Sequence, residues 1–256
     1  MTRYAMAVEY DGSRFHGWQT QRVGTTVQSV VEQAIAKVAH HPIGVVASGR
    51  TDTGVHAEHQ VIHFDSDAVR VERAWLLGTN THLPKAVVAR WVQPVPDDFH
   101  ARFSAQARRY RYTILNRQVR PALARESLSW IRKPLDDASM QLASRCLIGM
   151  HDFTSFRTVA CQAHSPVRDL RRIEFRREAD RIVMDIEANG FLHHMVRNIM
   201  GSLIKVGHGE QPVSWIAEVL AARDRTLAGV TAPPEGLVFV GPRYEARFGL
   251  PAEVSL

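Results

Sequence analysis

The densest concentration of reactive residue types in the chain is Gly49-Arg50-Thr51-Asp52-Thr53-Gly54-Val55-His56-Ala57, an acid flanked by glycines. Glycine tolerates positive φ and lets a ligand approach the backbone closely, so such a loop can hold a carboxylate against a bound molecule. Arg50, two positions before Asp52, could pair with it. An arginine neighbour typically lowers a carboxylate pKa by about 1 to 3 units, which would keep Asp52 charged at neutral pH. A permanently ionised aspartate suits a nucleophile and not a general acid. The competing explanation is an aspartate that only makes turn hydrogen bonds.

Three other groupings invite chemistry. In Arg108-Arg109-Tyr110-Arg111-Tyr112, strand alternation puts Arg108, Tyr110 and Tyr112 on one face and Arg109 with Arg111 on the other. Aromatic rings beside guanidinium groups offer a stacking platform for a base and cations for phosphate, although a tyrosine on a half-buried strand looks the same in sequence. In the stretch from Asn189 to Asn198, Arg197 projects away from an otherwise apolar helical face, where it needs an acidic partner. Finally, HAEHQVIH packs His56, His59, His63 and Glu58 into eight residues. A metalloprotease-type site would carry its histidines on a helix as HExxH. This stretch follows a glycine loop and alternates like a strand, so no metal is expected. The adjacent pairs His40-His41 and His193-His194 argue for none either, since neighbouring side chains diverge on any regular element.

Residues 3–10 read as a strand that delivers the chain into the turn-rich segment DGSRFHGWQTQRVG. A helix follows, with Val27, Val30, Val31, Ala34, Ile35 and Val38 on one face and Thr25 with Gln28 as a capping box. Residues 43–47 look like a strand entering the aspartate loop, and residues 60–64 an extended run leaving it. The pattern continues with a helix over 69–77, strands over 87–92 and 109–115, a helix over 135–147, and a hairpin of 172–175 with 182–187. After Asn189-Gly190 a helix is predicted whose apolar face carries Phe191, Leu192, Met195, Val196, Ile199, Met200, Leu203 and Ile204, with His194, Arg197, Asn198 and Gly201 on the other side. A last helix over 213–222 and closing strands over 237–240 and 244–248 complete an α+β pattern in two comparable halves.

The 256 residues are enough for one or two domains, and 45% hydrophobic with 23% charged residues excludes a wholly disordered, collagenous or coiled-coil chain. Charge-free stretches such as residues 74–84 fall well short of the ~20 apolar residues that span a bilayer. Glu9 and Asp11 stand where a signal peptide would need an apolar core, which points to the cytoplasm. Cys146 and Cys161, the only cysteines, are too few for a disulfide framework and read as reduced thiols. The net charge of +6 permits a polyanionic partner. It is concentrated in residues 101–133, where nine basic side chains face Glu126 alone.

Taken in order, YDGSRFHGWQTQ, TVQSVVEQAI, GRTDTGVHA, QVIHF, FHARFSAQARRYRYTILN, HDFTSFR, ANGFLHHMVRNIMGSLIKVG and the EGL of residues 235–237 resemble the tRNA pseudouridine synthase A family over essentially the whole chain. The resemblance implies a pseudouridine synthase fold, α+β, with two similar α/β halves whose mixed, mainly antiparallel sheets meet at a central active-site cleft. Residues 1–100 would carry the catalytic aspartate loop, and residues 101–256 the base-stacking tyrosine and a basic RNA track. Position by position, Asp52 matches the catalytic aspartate, Tyr110 the tyrosine that stacks on the target uracil, and Arg197 the arginine that pairs with the aspartate. Leu237 matches the apolar residue lining the base pocket, and Arg50 belongs to the same substrate-binding set. One departure stands out: His59 occupies the place before QV where the family pattern has glycine.

The implied reaction isomerises uridine to pseudouridine in the anticodon stem-loop of tRNA, at positions 38, 39 and 40, without a cofactor. Asp52 would attack C1′ or C6, or assist through a glycal route; the sequence leaves all three open. The resemblance further implies a cytoplasmic homodimer in which a tRNA contacts both subunits. Other classes stay in view. A pseudouridine synthase with other RNA targets would use the same loop, a glycosidase pairing Asp52 with Glu58 would release free uracil, and a non-catalytic RNA-binding module would leave a phosphate-repelling aspartate unexplained.

Overall fold

A computed structural model describes every residue except Ala160. In chain order its elements are β1 (Thr2–Tyr10), α1 (Val27–Ala39), β2 (Val46–Ala47), β3 (His56–Ser66), α2 (Glu72–His82), β4 (Val87–Pro94), β5 (Ala107–Asn116), β6 (Ser129–Ile131), α3 (Asp137–Ser144), β7 (Gly149–Asp152), β8 (Val167–Glu178), β9 (Arg181–Ala188), α4 (Met195–Gly207), α5 (Trp215–Ala222) and β10 (Leu237–Arg243). The helices and the mixed sheet make the chain α+β, as expected. By contacts it divides into one unit of Met1–Arg108 with Val238–Leu256, and a second of Arg109–Leu237. Residues 238–256 thus belong with the N-terminal part of the chain.

In the first unit the strand order is β4-β1-β3-β10, with β2 paired to β3. Neighbours are antiparallel except β10, which runs parallel to β3 through Val238↔His56 and Phe239↔Ala57. Tyr4 through Val8 are all buried, the sign of a strand covered on both faces and paired along both edges. Helix α1 begins one residue later than its sequence pattern indicates. Thr26, not Thr25, is the cap: its hydroxyl accepts from the Ser29 N–H at 3.3 Å while the Ser29 hydroxyl reaches the Thr26 N–H at 3.4 Å. The helix predicted over 69–77 is displaced to Glu72–His82 because Val69 and Val71 face solvent and Trp75 and Thr79 form the buried stripe. Of residues 43–47 only Val46 and Ala47 pair as a strand.

The C-terminal segment corrects a second expectation. Residues 244–248 are not a strand: Ala246–Phe248 forms a single 3₁₀ turn. The turn lets Tyr244 and Phe248 both pack on Phe99 with ring centroids 5.1 Å apart, and the Tyr244 hydroxyl donates to the Ala101 carbonyl at 2.6 Å. These rings join Ala5, Ala7, Val61, Leu250 and Val254 in one buried cluster, whose burial is worth roughly 1.5 to 3 kcal/mol per large side chain.

In the second unit the order is β5-β9-β8-β7, with β6 running parallel to β5. The hairpin predicted over 172–175 and 182–187 is present as β8–β9 and longer than expected, with Glu178 opposite Arg181 at its turn. The helix predicted from Phe191 instead starts at Met195, because His194 adopts a left-handed conformation with φ 62°. Its polar side is also not a solvent face. Asn198, Gly201 and Ser202 are buried, and a Cβ on Gly201 would lie 1.7 Å from the Val230 carbonyl oxygen, so the backbone of residues 230–232 lies directly against the helix.

Candidate active site

The aspartate loop belongs to the first unit, between β2 and β3. The Val55 N–H donates to the Asp52 carbonyl at 3.1 Å, and Gly54, third in that turn, has φ +81°. A type II turn requires this value and glycine supplies it without strain. Main-chain atoms close the turn, so the turn does not by itself account for a carboxylate at position 52.

Residues 12–18 back the loop. The Trp18 N–H donates to the Thr51 carbonyl at 3.0 Å. A Cβ on Gly12 would fall 1.9 Å from the Val55 oxygen, and one on Gly17 would fall 2.8 Å from the Thr51 oxygen. The two main chains touch because both positions are glycine. Below them a buried polar chain fixes the loop's entry. The Tyr10 hydroxyl shares a 2.7 Å hydrogen bond with the Thr51 hydroxyl, the Gln60 amide donates to the Gly49 carbonyl at 2.7 Å, and the Ser48 hydroxyl donates to the Gln60 side-chain oxygen at 2.7 Å. Arg108 donates to the carbonyls of Ala105, at 2.9 Å, and Ser48, at 3.2 Å, and also to that of Arg102. Gly49, Thr51 and Val55 lie in the loop singled out from sequence, whereas the supporting roles of Tyr10, Ser48 and Gln60 rest on contacts distant in the chain.

Arg50 departs from its expected partner. Its side chain is exposed and makes no ion pair among the described residues, so the guanidinium two residues from Asp52 does not neutralise it. The β3 histidines each have a separate engagement. His56 Nδ1 accepts from the Gly12 N–H at 3.1 Å and lies 3.2 Å from the Asp11 carboxylate. His63 Nδ1 accepts from the Ala101 N–H at 3.0 Å. His59 Nδ1 is 3.2 Å from the Val240 carbonyl, and its Cβ would meet any Cβ on Gly241, where φ is +142°, at 3.1 Å. The histidine at the family's glycine position is thus accommodated by a glycine on β10.

In the second unit the two candidate tyrosines separate. Tyr112 is fully buried; its hydroxyl donates to the Pro233 carbonyl at 2.8 Å and lies 2.7 Å from the Ser129 hydroxyl, and burial pushes its phenol upward. Tyr110 is only partly buried and meets Phe191 edge-on with centroids 5.1 Å apart. Only Tyr110 can offer a face to a base. Leu237 is buried at the start of β10, its N–H donating to the Pro234 carbonyl at 2.9 Å.

Arg197 is tethered to the segment that covers α4: its Nε donates to the Ala232 carbonyl at 2.8 Å, and the Ala232 N–H returns a bond to the Arg197 carbonyl at 3.1 Å. Asn198 holds the same segment, with its amide donating to the Phe156 carbonyl at 2.8 Å and its oxygen accepting from the Thr231 hydroxyl at 2.7 Å. The side opposite the apolar face, where the sequence pattern puts Asn198, is thus covered by backbone and not by water. The left-handed His194 also overturns the expected divergence of the histidine pair. The rings of His193 and His194 lie 4.1 Å apart, and His193 Nδ1 is 2.8 Å from the Thr158 hydroxyl.

The basic segment is less free than its composition suggests. Arg111 pairs with Asp185 at 2.8 Å, Arg117 with Asp180 at 3.1 Å, Lys133 with Glu210 at 3.6 Å and Arg125 with Glu126 at 3.2 Å. Arg102, Arg120 and Arg132 are exposed and have no carboxylate partner among the described residues. No helix among those residues is long and apolar enough to cross a membrane.

A family model described as tRNA pseudouridine synthase matches residues 6–104 and 143–245. The chain is 58% identical over 255 residues to the tRNA pseudouridine synthase A of Stenotrophomonas maltophilia (strain R551-3), covering 99% of this chain and 100% of the relative. It is 57% identical over 255 residues to that of Xanthomonas campestris pv. campestris (strain B100), with 99% of each chain covered, and 56% identical, again over 255 residues and 99% of each, to that of Xanthomonas oryzae pv. oryzae (strain PXO99A).

Proposed function

The chain belongs to the tRNA pseudouridine synthase family, and on that premise we propose that Asp52 is the carboxylate with which it isomerises uridine to pseudouridine in the anticodon arm of tRNA. The N1–C1′ glycosidic bond breaks, the uracil turns, and a C5–C1′ bond forms; C5 gives up a proton and N1 gains one, so no co-reactant is consumed. Attack at C1′, attack at C6 and a glycal route all use the negative charge of Asp52. The observation that supports it most directly is the glycine-backed turn, in which two neighbouring main chains and a buried hydroxyl pair are arranged around a loop whose side chain of interest is an acid.

Tyr110 is the ring that covers the base, supported by its partial exposure against the complete burial of Tyr112, and its hydroxyl helps remove the C5 proton. Arg197 is the cation that balances the aspartate, supported by the tether that fixes its Nε on Ala232. Leu237 lines the base pocket, and the exposed Arg50 contacts the RNA. The enzyme works on uridines 38, 39 and 40, as a cytoplasmic homodimer, and without a cofactor.

Unmodified tRNA transcript carrying tritium at uridine C5, incubated with the wild type and with Asp52→Asn, tests this. Tritium release by the wild type alone, confined to the anticodon arm, is the expected result, with RNA binding retained by Asp52→Asn. Turnover by Asp52→Asn would remove Asp52 from the chemistry, and free uracil in place of pseudouridine would make the enzyme a glycosidase.

A further inference from the structure

β8 carries five arginines, and four of them have carboxylate partners: Arg171 with Asp169 at 3.1 Å, Arg172 with Glu174 at 2.6 Å, Arg176 with Glu178 at 2.7 Å and Arg177 with Asp137 at 2.6 Å. Arg168 is different. It is half-buried and, among the described residues, has no carboxylate partner. Its Nη1 donates to the carbonyls of Ser165, at 2.9 Å, and Val167, at 2.6 Å; among the described residues its Nε and Nη2 make no hydrogen bond. Burial holds the guanidinium below its ordinary pKa. A cation withdrawn from water without a counter-charge costs stability, so its retention asks for an anion from outside the chain.

The surroundings say where that anion would lie. Gly190 faces the open edge of the guanidinium: a Cβ there would stand 3.6 Å from Nε and 3.8 Å from Cδ, so glycine leaves Nε uncovered. The next residue is Phe191, whose ring supports Tyr110 edge-on. The Nε side of Arg168 thus lies against the residue that immediately precedes the ring supporting Tyr110. We propose that Arg168 binds a backbone phosphate of the RNA through Nε and Nη2, fixing the strand next to the nucleotide whose base lies on Tyr110. This rests on the RNA substrate proposed above. A guanidinium fork matches two phosphate oxygens at once, whereas a lysine would present a single point of charge. The contact carries register and not base identity.

Arg168→Gln is the informative variant, since its amide can still donate to the Ser165 and Val167 carbonyls while the charge is gone; Arg168→Ala, Arg168→Lys and the ion-paired control Arg171→Ala accompany it. Affinity for an unmodified anticodon stem-loop is measured across a salt series, with thermal unfolding of each protein. Arg168→Gln is expected to bind about 10-fold more weakly or worse, and to lower the slope of log affinity against log salt by ~0.7, one phosphate's worth for single-stranded RNA. Its Tm should stay level or rise. Arg168→Lys should restore the slope without restoring full affinity, and Arg171→Ala should leave both unchanged. A wild-type slope and affinity in Arg168→Gln would overturn the proposal, as would weakened binding accompanied by a lowered Tm and an unchanged slope, the pattern of a structural clamp. A wild type that binds no RNA at any salt would instead overturn the RNA substrate itself.

Discussion

The hydroxyls of Tyr10 and Thr51 share a 2.7 Å hydrogen bond in the interior of the first unit, tying the last residue of β1 to the residue before Asp52. Burial pushes the Tyr10 phenol far above its ordinary pKa, so it acts as a neutral hydrogen-bonding group throughout the physiological range. Tyr10→Phe removes one partner and leaves the Thr51 hydroxyl buried beside a ring edge, at a cost of about 1 to 3 kcal/mol. The loop would lose definition while the RNA-facing surface stays intact. We expect kcat to fall more than KM changes, with a lowered urea midpoint. An unchanged kcat in Tyr10→Phe would show that the loop is held by its main-chain contacts alone.

Gly17 presses on the same loop from the other side. At φ +79°, a Cβ would stand 2.8 Å from the Thr51 oxygen and 3.2 Å from both the Asp52 carbonyl carbon and the Thr53 nitrogen. All three are backbone atoms and none can swing aside. Gly17→Ala adds the left-handed penalty, about 1 kcal/mol, to a displacement of the main chain at position 52. Activity should fall at least about 10-fold, as a shift of the reacting group of ~1 Å can cost 100-fold. Gly44→Ala is the matched control, because nothing lies within 4 Å of a Cβ there; it should keep wild-type turnover. Equal losses in the two variants would detach Gly17 from the chemistry.

RNA binding should weaken steeply with salt, yet not through every cation of residues 101–133. Arg117 is paired with Asp180 at 3.1 Å, whereas Arg120 and Arg132 are exposed and, among the described residues, have no carboxylate partner. Arg120→Ala and Arg132→Ala should each lower the salt slope by ~0.7 if each meets one phosphate, and Arg117→Ala should change it little. A surface pair of that kind is itself worth only ~0 to 1 kcal/mol, so folding should be indifferent to all three. Affinity independent of salt would exclude the segment as an RNA track.

β4 and much of the β8–β9 hairpin alternate between covered and open sides, whereas β1 was legible as a mainly apolar run that ends at a turn-rich segment. What was not legible depended on contacts distant in sequence. Asp180, Asp185 and Glu210 lie outside the basic segment they neutralise, so a charge count over a window exceeded the free charge. The start of α4 was missed because a left-handed His194, a conformation that side-chain periodicity does not encode, stops the helix short of Phe191. Asn198 and Gly201 read as a polar face because a helical pattern cannot distinguish water from the backbone of residues 230–232. At the site, the loop's glycines were readable as permissive positions, and the structure supplies what they permit: main chain against main chain at Gly12 and Gly17. The roles of Asp52, Tyr110 and Arg197 came from resemblance to a family and not from their spacing.

His63 makes stability depend on pH in a defined window. The ring is buried and its Nδ1 accepts from the Ala101 N–H at 3.0 Å, a bond that protonation of Nδ1 would abolish. Burial, reinforced by the nearby charges of Arg3 and His100 and opposed by Asp65, depresses its pKa to about 4, against about 6.5 in an unfolded chain. Between those values the unfolded chain binds the proton and the folded one does not. Stability is therefore complete above about pH 6.5 and declines as pH falls toward 4, by at most about 1.4 kcal/mol per pH unit for this group. His100, also depressed chiefly by burial, adds to the loss with the same sign. The Arg3–Asp65 pair, held at 2.7 Å, does not account for it, because the Asp65 carboxyl sits below the ordinary carboxylate range and stays ionised across the window. His63→Asn keeps an acceptor for the Ala101 N–H without a titrating ring. Urea midpoints at pH 7 and pH 5 should drop for the wild type and drop measurably less for His63→Asn; equal drops in the two proteins would place the pH dependence elsewhere in the chain.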